Sequence, residues 1–329
     1  MEKKKILITG CAGFIGFHLA LKFLRSKTTI VYGIDCLNSY YSVKLKKRRL
    51  SILKKNKNFS FFKKNLLNLK FCRNFFKKYK PDYIYHIAGQ AGVLYSIKNP
   101  KSYLKNNIKA TQNLIYCTRS SSYTIKKFIF TSSSSVYGDQ SKFPIKENSI
   151  LKPRNPYADS KKKCEDLILS NFKNLVNLKD FIIFRLFTVF GPYGRPDMLL
   201  IKILLATYYK KIFKIYNYGT YYRDFTYIDD VIKILSLSAN VKSNKKIFNL
   251  CGSKPVKLID FIEKILKILG QNTRVKFMPR RNIEVLKTHG SNKQLISSFN
   301  IRKFSELNYG LKKTIKWFNL YKNKKELIV

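Results

Sequence analysis

Ile6-Leu7-Ile8-Thr9-Gly10-Cys11-Ala12-Gly13-Phe14-Ile15-Gly16 decides how this chain folds, and it continues through an apolar-periodic segment to Leu24 and into Thr29-Ile30-Val31-Tyr32-Gly33-Ile34-Asp35. The pattern reads as a buried strand, a glycine turn, a helix and a second strand ending in an acid. Gly10 permits a tight turn, Gly13 lets the backbone approach a pyrophosphate, and Gly16 lets the helix pack closely on the sheet. The phosphates would sit on the helix N-terminus at Phe14 and Ile15, where free N–H groups and the helix dipole attract anions. Asp35 follows Gly10 by 25 residues. A carboxylate there accepts from both ribose hydroxyls and repels a 2′-phosphate, so the expected dinucleotide is NAD and not NADP. The competing reading is a glycine-rich turn that packs a helix on a sheet without any ligand; the flanking strand, helix and acid weigh against it.

A chain of 329 residues can bury a full core and divide into one large and one smaller lobe. It contains no run of about 18 uncharged apolar residues, so no membrane insertion is expected. Met1-Glu2-Lys3-Lys4-Lys5 before an apolar run imitates a secretory leader, and Ile8-Thr9-Gly10-Cys11 imitates a lipoprotein cleavage site. The apolar run before Cys11 is too short for either, and Gly13, Gly16 and His18 interrupt the residues beyond it, so the segment reads as a first strand. Six cysteines, at 11, 36, 72, 117, 164 and 251, form no Cys-x-x-Cys pair and no ligand cluster with the three histidines. That suits a reducing cytoplasm and no bound metal.

Lysine and arginine number 66 against 18 acidic residues, a formal charge of +48. Such an excess is the footprint of a nucleic-acid-binding protein. Here, however, the lysines are dispersed, and the abundance of Lys, Asn, Ile, Phe and Tyr is what AT-rich codons encode. No zinc finger, RNA-binding signature or recognition helix is present. No specific nucleic-acid partner is expected, though a basic surface would draw in a substrate with several negative charges.

Strands and helices alternate after Asp35. A basic segment with helical character begins at Val43. Strands are predicted over 59–62, 82–87, 127–131 and 181–185, and helices over 69–79, 103–120 and 157–172. This order implies an α/β fold, a Rossmann-type doubly wound parallel sheet covered on both faces. From Gly191 the regularity breaks at Pro192, Gly194 and Pro196, and helices over 198–209, 229–239 and 258–269 alternate with short strands. The chain therefore divides into an NAD-binding domain, 1–190, and a smaller mixed α/β lobe, 191–329, that mainly binds substrate. Lys322 to Lys325 reads as a solvated tail.

Tyr157-Ala158-Asp159-Ser160-Lys161 opens a helix and places Tyr157 and Lys161 on one face. A nearby ammonium lowers the pKa of a phenol, and the pair can then act as a base. Thr131-Ser132-Ser133-Ser134-Ser135-Val136-Tyr137-Gly138 ends a strand at the edge where open α/β sheets bind ligands. Ser133 and Ser135 are the candidates to touch substrate, with Ser132 and Ser134 satisfying backbone groups.

Together with Asp35-Cys36-Leu37-Asn38-Ser39-Tyr40-Tyr41, Gln90-Ala91-Gly92-Val93, Phe187-Thr188-Val189-Phe190-Gly191-Pro192-Tyr193-Gly194-Arg195-Pro196-Asp197 and Arg223-Asp224-Phe225-Thr226-Tyr227, these segments resemble the extended short-chain dehydrogenase/reductases. Within that superfamily they resemble the NAD-dependent nucleotide-sugar epimerases and dehydratases, most of all the UDP-glucuronate 4-epimerases. The likeness runs from residue 6 to about 260. It implies that Tyr157 takes the sugar 4-hydroxyl proton with Ser133 sharing the hydrogen bond, that NAD accepts and returns a hydride, and that the 4-keto sugar turns over while its UDP stays anchored. It further implies that Lys161, Asn38 and Asn65 contact NAD, that Thr188 and Arg195 hold a C6 carboxylate, and that Arg223 clamps the diphosphate. An Arg fork suits a carboxylate; the plainer role for Arg195 is to order its loop beside Asp197, and for Arg223 to pair with Asp224. Asp229 and Asp230 suit a helix N-cap and first turn. A homodimer through the helices at 103–120 and 157–172 is implied as well. Neutral-sugar epimerases and glucuronate decarboxylases are the near alternatives, although the loop lacks the decarboxylases' usual Gly-Pro-Arg-Met. A basic nucleic-acid-binding protein on a retained fold is the alternative of a different class.

The chain departs from the resemblance at several points. Asn65 replaces an aspartate, Leu94 an arginine and Asn155 a serine. Arg280-Arg281-Asn282-Ile283-Glu284 stands in place of a Gly-Asp-Val pattern, and Ser291 in place of an aspartate. No site residue is assigned in this last region.

Overall fold

The computed structural model describes residues 3–281, 283–321 and 324–328. Its first half runs β1 (Lys4–Thr9), α1 (Phe14–Leu24), β2 (Thr29–Asp35), α2 (Val43–Leu53), β3 (Phe59–Lys63), α3 (Leu69–Tyr79), β4 (Tyr83–His86), α4 (Val93–Lys98), α5 (Pro100–Tyr103), α6 (Ala110–Arg119), β5 (Lys127–Ser133), α7 (Pro156–Phe172) and β6 (Phe181–Leu186). The second half runs β7 (Thr188–Phe190), α8 (Leu199–Tyr208), β8 (Phe213–Tyr216), β9 (Tyr222–Tyr227), α9 (Ile228–Leu237), β10 (Ile247–Leu250), β11 (Pro255–Lys257), α10 (Leu258–Leu269), β12 (Val275–Met278), α11 (Lys293–Phe299) and α12 (Leu307–Leu320).

Seven strands form one parallel sheet in the order β3-β2-β1-β4-β5-β6-β10. Every residue of β4 and β6 is buried, as expected of strands covered on both faces. The order reverses between β1 and β4, and that switch point opens a crevice at the strand C-termini. The segment that imitates a leader is β1, paired to β2 and β4.

The lobes interleave rather than meeting at residue 190. β7 begins two residues after β6 and joins a second sheet, β11-β9-β7, while β10 returns from the C-terminal half to close the large sheet. A third sheet pairs β12 with β8. The crossing is driven by burial: Phe248 and Leu250 of β10 are fully enclosed beside Phe184.

Several local expectations change. The helix expected over 103–120 begins at Pro100 and is interrupted by a π-helical stretch, Leu104–Lys109. β5 extends to Ser133, so the catalytic serine candidate belongs to the strand end. In place of a solvated tail, Lys324–Leu327 forms a 3₁₀ turn that buries Leu327, with the Tyr321 hydroxyl donating to Glu326 at 2.5 Å; Lys322 lies outside the described residues. Tyr227, and not Asp229, caps α9; Asp230 in its first turn accepts from both the amide and the hydroxyl of Ser305. Asn155 substitutes for serine without loss, since its side chain accepts from the Ala158 amide at 2.9 Å and Pro156 opens α7.

Candidate active site

The glycine turn is set by sterics. Gly10 has φ +73°, and a Cβ there would lie 2.9 Å from the Ala88 backbone; one on Gly16 would lie 2.2 Å from the Gly10 carbonyl oxygen. Gly13 caps α1 and donates to the Gly10 carbonyl at 2.9 Å. The amides of Phe14 and Ile15, at the helix start, have no intrahelical partner and wall the crevice. At the end of β2, Asp35 accepts from the Ala12 amide at 3.1 Å and the Leu37 amide at 2.8 Å. Each of its oxygens keeps a second lone pair for a ribose hydroxyl. Asn38 holds the Lys46 ammonium through its carbonyl (2.6 Å) and side-chain oxygen (2.7 Å), and Asn65 accepts from the Leu67 amide. This donor set fits NAD: anion-binding amides, a backbone with no room for a Cβ, and an acid where a 2′-phosphate would fall.

One cleft of about 460 Å³ brings together Gly10, Asp35, Ser133, Tyr157, Thr188 and Arg195. Lys161, Asn38 and Asn65 line it too. Burial pushes the Tyr157 phenol above its usual pKa, opposed by its hydrogen bond with Ser133 and by the charge of Arg195. The Lys161 ammonium donates to the Thr131 carbonyl at 2.8 Å and stands over the Phe130 ring, its pKa lowered by burial. Arg195 is a cation that acts on the Tyr157 phenol, favouring its ionised form.

Ser135 is not on the cleft wall. Its amide and hydroxyl donate to the Ser133 oxygen at 3.2 and 3.0 Å, which orients the Ser133 proton outward. Ser132 does not serve a backbone group as expected: it donates to the Glu165 carboxylate, which is paired with Arg185 in a buried network.

Arg195 takes the plainer of the two roles expected of it, ordering its loop beside Asp197. Asp197 takes its Nε–H at 2.9 Å and one terminal N–H at 2.5 Å, a side-on fork, and Tyr40 donates to the same carboxylate at 3.1 Å. Burial opposes both charges, yet Arg195 holds the Asp197 carboxyl below its usual range, and Asp197 keeps the guanidinium protonated. The remaining terminal N–H groups are free to pair end-on with another carboxylate.

Arg223 lies outside this wall, and Asp224 is not its partner. Asp224 is buried and accepts from the Ser253 and Gly290 amides, whereas Arg223 faces Glu284 at 3.7 Å. Arg281 reaches the same Glu284 at 4.0 Å and stacks on Tyr216 at 3.3 Å. The region left unassigned from the sequence thus supplies a second arginine to the Arg223 cluster.

Asn107 carries no signal in the sequence. The π-helical stretch turns it inward, where it accepts from the Gln90 amide and donates to the Gln90 carbonyl and to Ser160, fixing the strand end beside α7. His86, at the end of β4, lies between the Thr9 hydroxyl on Nδ1 and the Thr111 hydroxyl on Nε2, each at 2.9 Å. Burial lowers its pKa from 6.5 to about 3. The unfolded chain therefore binds a proton that the folded chain refuses, and stability contributed by neutral His86 is lost as pH falls from about 6.5 toward 3, with a slope of at most about 1.4 kcal/mol per pH unit. Urea midpoints at pH 7 and pH 5 should fall less steeply for His86→Gln than for the parent; equal slopes would remove His86 as the cause.

The profile of the GDP-mannose 4,6 dehydratase family matches residues 7–311. The chain belongs to this family of NAD-dependent epimerases and dehydratases. It is 34% identical to a UDP-glucuronate 4-epimerase of Thermodesulfobacterium geofontis, over 94% of this chain and 95% of that one. The crystal structure of a UDP-glucuronic acid 4-epimerase from Bacillus cereus with UDP-glucuronic acid and NAD superposes with a TM-score of 0.90 at 31% identity, covering 96% of this chain and 99% of that one. A UDP-N-acetylglucosamine 4-epimerase from Methanobrevibacter ruminantium, in complex with UDP-N-acetylmuramic acid, superposes with a TM-score of 0.86 at 28% identity, covering 97% and 99%. The glycine turn, Asp35 and the NAD-bound neighbours agree on NAD as the cofactor. No helix among the described residues is long and apolar enough to cross a membrane.

Proposed function

We propose that this NAD-dependent UDP-sugar epimerase interconverts UDP-glucuronate and UDP-galacturonate by inverting C4 through a transient 4-keto sugar. The observation that carries the sugar's identity is Arg195, held side-on by Asp197, with its remaining N–H groups in the cleft that also holds Tyr157 and Thr188. A neutral hexose has no charge to place there; the C6 carboxylate of glucuronate does.

Bound NAD supplies the hydride acceptor and returns the hydride to the opposite face of the sugar. The chain's own residues do the rest. Tyr157 removes the proton from the 4-hydroxyl and later restores it, with the Ser133 hydroxyl bridging to the same oxygen. Lys161, which lines the same cleft beside Gly89, would hold the nicotinamide ribose. Thr188 and Arg195 keep the carboxylate fixed, which also restrains the β-keto acid from losing CO2. Arg223 and Arg281 flank Glu284 and leave a net positive charge for the diphosphate. A homodimer through the 103–120 and 157–172 helices would cover half-exposed Leu104 and Tyr116, and a cytoplasmic location suits a nucleotide-sugar substrate.

Proton NMR of the purified protein with UDP-glucuronate and no added cofactor should show UDP-galacturonate. Turnover of UDP-glucose alone would move the substrate to a neutral sugar. Release of CO2 with a UDP-pentose would make the protein a decarboxylase. Salt-sensitive binding to DNA without retained NAD would remove it from enzymes altogether.

A further inference from the structure

α2 carries five cations, and the fold treats them unequally. Lys44, Lys47 and Arg48 are at least partly exposed, whereas Lys46 and Arg49 are buried. Arg49 is fully enclosed, and its hydrogen-bond partners among the described residues are neutral oxygens. One terminal nitrogen donates to the Ala12 carbonyl at 2.8 Å and to the Tyr41 hydroxyl at 2.7 Å; the other donates to the Tyr193 carbonyl at 2.6 Å. Its Nε has no partner among the described residues. Burying a guanidinium without a carboxylate is costly, so the position needs a reason beyond packing.

The two carbonyls supply that reason. Ala12 lies inside the glycine turn, and its amide is one of the two held by Asp35. Tyr193 lies two residues before Arg195, with φ +56°, a left-handed conformation that a tyrosine adopts only when held. The neighbouring Pro192 carbonyl accepts from His18 of α1 at 2.9 Å, and the Tyr193 ring packs between Phe17 and Trp317. A single side chain thus links Asp35 and the glycine turn to the loop that presents Arg195.

We propose that Arg49 is a positioning residue that couples the cofactor's glycine turn to the substrate-carboxylate loop, so that order in one is order in the other. The carboxylate half of this rests on the function proposed above. Arg49→Lys keeps the charge but cannot bridge both carbonyls. It should raise the KM for UDP-glucuronate by about tenfold to a hundredfold, as expected when a positioned group drifts by about 1 Å, with a much smaller change in kcat. In an Arg195→Ala background the same substitution should add little to KM, because the group it positions is gone. Tyr41→Phe, which removes one anchor and keeps the ring, should move KM in the same direction by less. The holoenzyme should also release NAD faster with Arg49→Lys than without it, read by native mass spectrometry over time. An equal multiplication of KM with and without Arg195, or an unchanged KM, overturns the coupling. If the parent protein does not turn over UDP-glucuronate, the proposed substrate fails on its own; the coupling is then judged by NAD release, and a release rate unchanged by Arg49→Lys overturns it.

Discussion

Tyr157→Phe should retain NAD as the parent protein does and turn over its UDP-sugar about a thousandfold more slowly, the usual scale for losing a positioned acid–base group. The ring stays, so the cleft wall stays; only the hydroxyl that meets Ser133 is removed. The size of the loss follows from the lack of a substitute. Lys161 is turned to the Thr131 carbonyl, and Ser133 is a hydroxyl bonded to Ser135, another hydroxyl and no base. Burial raises the Tyr157 pKa, so the phenol is mostly protonated at neutral pH, and turnover limited by this proton should climb with pH above 7. The checks are a pH series of initial rates by NMR and the absorbance of NAD released on denaturation. Activity within tenfold of the parent would mean that another group takes the proton; loss of NAD together with activity would mean that Tyr157 supports the cofactor and not only the chemistry.

The parts of this protein legible in its sequence are those governed by local chemistry. Gly10, Gly13 and Gly16 are readable because turn geometry and close packing leave few residues possible, and Asp35 because it ends the next strand. The Tyr157–Lys161 spacing is readable because helical periodicity places both on one face; where the lysine's charge goes is not, because the Thr131 carbonyl belongs to β5, 30 residues earlier. The same limit explains Arg49 and Glu165, charged residues on helices that a sequence pattern assigns to solvent and that the fold buries against carbonyls or an arginine far away in the chain. β10 is unreadable as a seventh strand for a related reason: four residues carry no mark of which sheet they will join. Arg223 and Asp224 show the converse error. Adjacent opposite charges suggest a pair, but neighbours on a strand face opposite sides, so Arg223 finds Glu284 and Asp224 turns to buried amides.

Arg195→Ala should raise the KM for UDP-glucuronate by about a hundredfold, or about 3 kcal/mol, the range for truncating one partner of a charge-assisted pair largely withdrawn from water. Two effects add. The substrate carboxylate loses its end-on fork, and Asp197, left half-buried with Tyr40 still donating to it, now repels that carboxylate. Any turnover of UDP-glucose should suffer much less, since a hydroxymethyl group uses neither the fork nor the repulsion; it should still fall, because Arg195 is also a cation that favours the Tyr157 phenolate. Asp197→Asn added to Arg195→Ala removes the repulsion and should recover part of the loss for glucuronate while leaving the UDP-glucose rate where it was. Equal losses on both sugars, with no recovery in the double variant, would make Arg195 a loop-ordering residue and place carboxylate recognition elsewhere in the cleft, with Thr188 the first position to replace. A larger loss for UDP-glucose than for UDP-glucuronate would reverse the argument, leaving Arg195 to serve Asp197 and the Tyr157 phenolate and no substrate carboxylate.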